Sequence, residues 1–136
     1  MSYVFLISSD TDDATAVTTD GFGHVYVTGL SVGTGGHSDF ATIAYDSNLD
    51  QLWVARYDGP AGLGDGAYAI ATDGSGNVYV TGLSIGVGTN FDYATIKYDS
   101  SGHELWVARY NGPGNGVDWA KAIAVDSSGN VYVTGY

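Results

Sequence analysis

The stretch Asp20-Gly-Phe-Gly-His-Val-Tyr-Val-Thr-Gly29 returns 53 residues later as Asp73-Gly-Ser-Gly-Asn-Val-Tyr-Val-Thr-Gly82. After the same interval it returns again as Asp126-Ser-Ser-Gly-Asn-Val-Tyr-Val-Thr-Gly135. Residues 20–72 align with residues 73–125 without a gap, and 32 of the 53 positions are identical. A fixed period of roughly 50 residues is typical of repeat architectures, whose units bury their apolar surfaces against one another. The repeat therefore predicts the architecture of the whole chain.

Each repeat unit contains four short β-type runs separated by turn residues, without helical periodicity. In the second unit these runs are Ala67–Thr72, Val78–Thr81, Asp92–Asp99 and Leu105–Tyr110. Strict alternation along the first run predicts that Ala67, Ala69 and Ala71 share one face, because successive side chains of a strand point to opposite sides. Four antiparallel strands in about 50 residues describe a propeller blade.

Large and charged side chains recur at fixed positions of the fourth run. Trp53 and Trp106 are equivalent, and we expect both to lie between adjacent sheets. Arg56 and Arg109 are also equivalent, and we expect them to pair with some of the abundant carboxylates.

The repeated motifs resemble a known family. Ala-Ile-Ala-x-Asp-x-x-Gly-Asn-Val-Tyr-Val-Thr-Gly, Asp-Tyr-Ala-Thr-Ile-Lys-Tyr-Asp and Leu-Trp-Val-Ala-Arg-Tyr look like the SBBP family of β-propeller repeats, over residues 12–136. They are also similar to the wider NHL-like and quinoprotein-like propellers. The resemblance implies an all-β, multi-blade protein of a prokaryote, often extracytoplasmic, and carries no agreed catalytic residues. The predicted fold is two full four-stranded blades with partial ends.

The phase of the repeat predicts how the single repeat domain, residues 1–136, is divided. The parts are a divergent N-terminal strand (1–11), a first blade (12–66), a second blade (67–118) and a half unit (119–136). The third unit lacks 23 residues, equivalent to residues 84–106. Two explanations remain open: identical chains join head to tail, or the sequence is a piece of a longer propeller.

Composition excludes several classes of function. Four Lys and Arg against fifteen Asp and Glu give a net charge of −11, which repels the phosphates of nucleic acids and anionic membrane surfaces. The chain has no cysteine, so disulfides and thiolate metal sites are excluded. No apolar run is long enough to span a membrane. We expect an extracytoplasmic or cell-surface protein.

No motif predicts a catalytic site, a cofactor or a metal ion. The Asp-x-Ser-Gly-Asn loops place oxygen atoms at alternate positions, but no bidentate Glu follows as calcium loops require. Turn formation is therefore preferred to calcium binding. His24, His37 and His103 fall at three different repeat phases, without the spacing of a zinc site.

Positions that differ between the units are the most informative for ligand binding. Tyr68 is replaced by Lys121 and by Thr15, and Gly66 is replaced by Trp119 and by Asp13. Trp119 beside Asp118, together with Tyr68, is the candidate site for a stacked ligand such as a sugar.

The leading functional hypothesis is a non-enzymatic structural or interaction module. Exposed strand edges would complete a propeller or join copies head to tail into an oligomer or fibre. The alternatives are a carbohydrate- or peptide-binding propeller module, and a fragment of a larger extracytoplasmic propeller protein or enzyme.

Overall fold

The computed structural model describes residues 11–136, which form ten β-strands and no helix. The strands are β1 (Asp13–Thr19), β2 (Val25–Val32), β3 (Ser38–Tyr45), β4 (Gln51–Tyr57), β5 (Asp65–Thr72), β6 (Val78–Ile85), β7 (Phe91–Tyr98), β8 (Glu104–Tyr110), β9 (Ala120–Val125) and β10 (Val131–Gly135). They form three antiparallel sheets: sheet 1 (β1-β2-β3-β4), sheet 2 (β5-β6-β7-β8) and sheet 3 (β9-β10). The predicted N-terminal strand within residues 1–11 lies outside the described residues except for its last position.

The recurring Asp at the start of each turn organises the hairpin between the first two strands of a sheet. Asp73 Oδ1 accepts hydrogen bonds from the backbone N–H groups of Ser75 (2.9 Å) and Asn77 (3.0 Å). Its Oδ2 accepts bonds from the Asn77 side chain (2.7 Å) and from the hydroxyl of Tyr79 (2.9 Å). One carboxylate thus orders the turn and holds the second residue of β6.

A β-bulge interrupts the first strand of every sheet. In sheet 2 Ala67 pairs with Gly82 and Ala69 pairs with Thr81, so Tyr68 is an extra residue without a partner. Because directly opposed residues share a face, Ala67 lies on the opposite face from Ala69 and Ala71. The prediction of a single alanine face is wrong, since a bulge inserts one residue and reverses the alternation.

The sheets pack face to face around neighbouring first strands, β1 against β5 and β5 against β9. We call the side of a sheet that faces the next sheet its downstream face. In sheet 1 this face contributes Tyr26 and Phe40 to the core, which meet Val78, Val80 and Ile96 of sheet 2. The predicted all-β fold of propeller-type, four-stranded blades is confirmed. Over residues 11–136 the sheets do not close into a ring.

Candidate functional site

Trp53 joins sheet 1 to sheet 2 on the downstream face, as predicted. Its Nε1–H donates to the carbonyl oxygen of Ser100 (3.1 Å), and its ring lies 6.0 Å from that of Tyr98 between centroids. The ring also lies against Gly102, where an added Cβ would stand 2.6 Å from Trp53 Cδ2. The turn between β7 and β8 therefore fits closely over the indole of the preceding sheet.

The equivalent Trp106 departs from the prediction for the two tryptophans. It contacts Tyr79 of its own sheet at 6.1 Å between centroids, but 36% of its surface remains exposed. Tyr110, at the outer end of the same strand, is also exposed. The reason is that sheet 3 has only two strands, and it packs on sheet 2 mainly through β9, which contacts β5 and β6. The outer half of the downstream face of sheet 2 is left uncovered by the part of the chain that the structure describes.

The outer edge of β10 is the second open surface, and we call it the docking edge (Val131–Gly135). β10 pairs with β9 along one side, and its other side has no partner strand among residues 11–136. Tyr132 on this strand is 58% exposed, whereas its equivalents Tyr26 and Tyr79 are each 1% exposed. Tyr26 and Tyr79 lie on downstream faces that the next sheet covers, whereas no further sheet covers the downstream face of sheet 3 within residues 11–136.

A pair of threonines crosses from the second to the third strand in both complete sheets. Thr28 and Thr42 are joined through their hydroxyls at 2.9 Å, and Thr81 and Thr95 at 2.8 Å. Thr134 occupies the equivalent place on β10 and is exposed. The docking edge therefore presents one half of an interaction that elsewhere is buried.

The predicted ligand residues are brought together only in part. Tyr68 is the bulged residue of β5 and Trp119 immediately precedes β9, and their rings meet at 4.8 Å between centroids. Asp118 instead accepts a hydrogen bond from the backbone N–H of Gly112 (2.6 Å). Asp65, its equivalent in the preceding unit, bonds to Gly59 in the same way. The Asp118 carboxylate thus belongs to the loop that leads into a sheet.

Lys121 and Tyr136 complete the cluster around Trp119. The Lys121 Nζ lies 2.9 Å from the centroid of the Trp119 ring, and 5.6 and 5.5 Å from those of Tyr68 and Tyr136. Sequence reasoning singled out Lys121 as a variable position but missed its cation–π contact. Its repeat position could have indicated this contact, because Thr15, Tyr68 and Lys121 are equivalent residues and each is the bulged residue of the first strand of its sheet.

Three carboxylates converge between sheets 1 and 2, and the sequence analysis missed this group. One oxygen from each of Asp39, Asp58 and Asp65 lies within 4.8 Å of the other two. Burial raises the pKa of the Asp65 carboxyl, despite hydrogen bonds from Ser84 and from the backbone of Gly59 and Ile85. No motif signals the group, because its members come from a third strand and from both sides of an inter-sheet loop.

Both predicted arginine–carboxylate pairs are confirmed. Arg109 binds Asp92 at 3.1 Å and Arg56 binds Asp39 at 3.4 Å. Each arginine also reaches across the third strand and donates to a serine of the second strand of its sheet, Ser84 or Ser31. The arginines therefore tie strands of a sheet together.

The polar groups of the first Asp-x-x-Gly loop form hydrogen bonds with one another and with the start of β2. Burial pushes the pKa of Asp20 upward, but hydrogen bonds from His24, Phe22 and Tyr26 outweigh it and lower this pKa to about 2. His24 Nδ1 lies 2.7 Å from Asp20 Oδ2, and His103 Nδ1 lies 3.0 Å from Asp99 Oδ2. His24 takes the place of Asn77 and Asn130 as partner of the carboxylate, whereas His103 stands where the β3–β4 turn has Asp50.

Comparison with known proteins supports the architecture. The family model of the SBBP beta-propeller repeat matches residues 105–136, which extend from β8 through β9 and β10. No curated protein matches the chain. Residues 11–136 contain no apolar helix of membrane-spanning length. The resemblance drawn from the motifs is thereby confirmed over residues 105–136, and the described chain is all-β.

Proposed function

We propose that the chain is a non-enzymatic interaction module of a β-propeller, which associates with a second copy through the docking edge and the uncovered face of sheet 2. The observation that carries the proposal is the side of β10 that has no partner strand among residues 11–136, together with Trp106, which is 36% exposed although its equivalent Trp53 lies between two sheets. Burying such apolar surface is the main favourable term in association.

The composition of the docking edge supports strand pairing. Free strand edges in natural proteins are usually blunted by lysine, proline or inward-pointing charge, which prevents edge-to-edge association. β10 has the sequence Val-Tyr-Val-Thr-Gly and contains none of these residues. The edge is therefore chemically suited to accept another strand.

The opposite end of the described chain offers a complementary surface. A pocket of about 160 Å³ on sheet 1 is lined by Leu30, Ile43, Val54 and neighbouring residues, and Val54 is 48% exposed. The equivalent of Ile43 in sheet 2, Ile96, is fully buried at the contact with sheet 1. A head-to-tail contact would therefore cover an apolar surface at both ends.

Light scattering over a dilution series tests the proposal. We expect a mass of more than one chain that falls on dilution. Thr134→Lys places a charge on the docking edge and should shift the chain toward the monomer. Ser128→Lys adds the same charge on the exposed turn before β10 and should leave the mass unchanged. A folded monomer at every concentration would contradict the proposal.

A second candidate function, a carbohydrate- or peptide-binding module, is favoured by the clustering of the variable bulge positions. Thr15 Oγ1 donates to the carbonyl oxygen of Ala67 (2.7 Å), and Lys121 lies over Tyr68, so the three positions form one surface. Because Lys121 already covers Trp119, a stacked ligand must displace it. Glycan-array binding that disappears in Trp119→Ala, with unchanged circular dichroism, is the expected result. An array without binding to the original chain contradicts this candidate.

A further inference from the structure

We infer that the docking edge and Trp106 together recognise one partner structure, a β-hairpin with the third- and fourth-strand sequence of this repeat. The inference rests on the proposed function and names the partner of its site. Its basis is the interface between sheet 1 and sheet 2. There the equivalents of Thr134 and Trp106 are covered by the third and fourth strands of a sheet.

The first requirement on the partner is a threonine opposite Thr134. In sheet 2 Thr81 is directly opposed to Thr95, and its hydroxyl also donates to the carbonyl oxygen of Ala94 (3.1 Å). Sheet 1 repeats both interactions with Thr42 and Ala41. An Ala-Thr pair in the partner strand therefore fixes its register on β10, since a slip of one residue would turn every side chain to the other face.

The second requirement is a glycine in the turn of the hairpin. Gly102 has a φ of +85° and lies against the ring of Trp53. Trp106 is equivalent to Trp53, so its partner turn needs the same glycine. The β3–β4 turn of this chain carries Leu49 at that position, with a φ of +68°, and its side chain would collide with the indole. A hairpin with the β7–β8 sequence therefore fits Trp106, and one with the β3–β4 sequence does not. Because β7 is paired with β6 in sheet 2, the partner must supply this hairpin unpaired.

A synthetic peptide of residues 90–110 tests the inference on the isotope-labelled full chain. We expect stoichiometric binding, with shifts of the β10 amides and of the Trp106 indole N–H, which gains a carbonyl acceptor as Trp53 has. Thr95→Val in the peptide should weaken binding roughly two- to tenfold through the loss of a hydrogen bond. Gly102→Leu should weaken it by about tenfold or more, because the leucine overlaps a rigid ring. Equal binding of the Gly102→Leu peptide, or no shift on β10, would overturn the inference.

A covalently extended chain provides a second test, which remains informative if the isolated peptide does not form a hairpin. Tyr136 is equivalent to Leu83, so residues 84–110 appended after Tyr136 would place the copy of Thr95 opposite Thr134. We expect a higher melting temperature for the extended chain, and a smaller rise when the appended Gly102 copy is leucine. Identical melting temperatures of all three chains would contradict the inference.

The two proposals fail in different ways. A chain that is monomeric in light scattering but binds the peptide retains the inference and loses the self-association. Oligomers that persist in excess peptide, without shifts on β10, retain self-association through another occupant of the edge and overturn the inference.

Discussion

Replacing Trp53 with alanine is expected to lower the free energy of unfolding by about 3 kcal/mol, the lower end of the range for deletion of a large aromatic side chain, because Trp53 is partly buried against the core. Trp53 packs against Tyr26 and Tyr98 and donates a hydrogen bond to the Ser100 carbonyl. Its removal opens a gap between sheets 1 and 2 and takes away the ring on which the β7–β8 turn packs. Urea unfolding followed by far-ultraviolet circular dichroism measures the effect without relying on tryptophan fluorescence.

Trp106→Ala provides the matched control, because the two tryptophans occupy the same repeat position. Trp106 is 36% exposed and contacts Tyr79 of its own sheet, so its replacement should cost about 1 kcal/mol in dilute solution. Equal losses for the two variants would contradict the assignment of Trp53 to an inter-sheet contact and of Trp106 to an open face.

Gly82→Ala is expected to destabilise the chain by about 3 kcal/mol, at the upper end of the usual cost of overpacking. A Cβ at Gly82 would stand 2.0 Å from the carbonyl oxygen of Gly66 and 2.9 Å from the Cα of Ala67. Both are backbone atoms at the bulge of β5, so relief requires a break in the pairing of β5 with β6. Urea unfolding again provides the measurement.

Gly74→Ala is the control for Gly82→Ala, because an added Cβ at Gly74 meets no atom within 4 Å. Its effect should stay within about 0.5 kcal/mol, as for other surface substitutions. A neutral Gly82→Ala would show that the bulge does not bring the strands as close as the structure indicates.

The strands and their order were predictable from the sequence because the turns and β-type runs repeat without a gap. The position of each first hairpin turn was also predictable, because Asp-x-x-Gly favours a tight turn. The bulge at Tyr68 was not predictable, because Ala-Tyr-Ala-Ile-Ala reads as unbroken alternation. Pairing to β6 reveals the extra residue, and this reverses the face assigned to Ala67.

The candidate site was predictable in its location but not in its contacts. The incomplete third unit predicts an exposed edge, whereas the exposure of Trp106 depends on how far sheet 3 extends over sheet 2. Tyr68 and Trp119 stood out because they vary between units, but sequence spacing does not show that Lys121 lies on the Trp119 ring. Long-range placement of this kind is set by sheet packing, which local patterns do not encode.

Amide hydrogen exchange of β10 tests the central claim, that the docking edge pairs with another strand, most directly. The informative groups are the β10 N–H groups that do not bond to β9. We expect these groups to exchange more slowly at concentrations where the chain associates than in dilute solution, while exchange in β6, which is already paired on both sides, stays the same. Rapid exchange of these groups at every concentration, in an assembled chain, would contradict the claim.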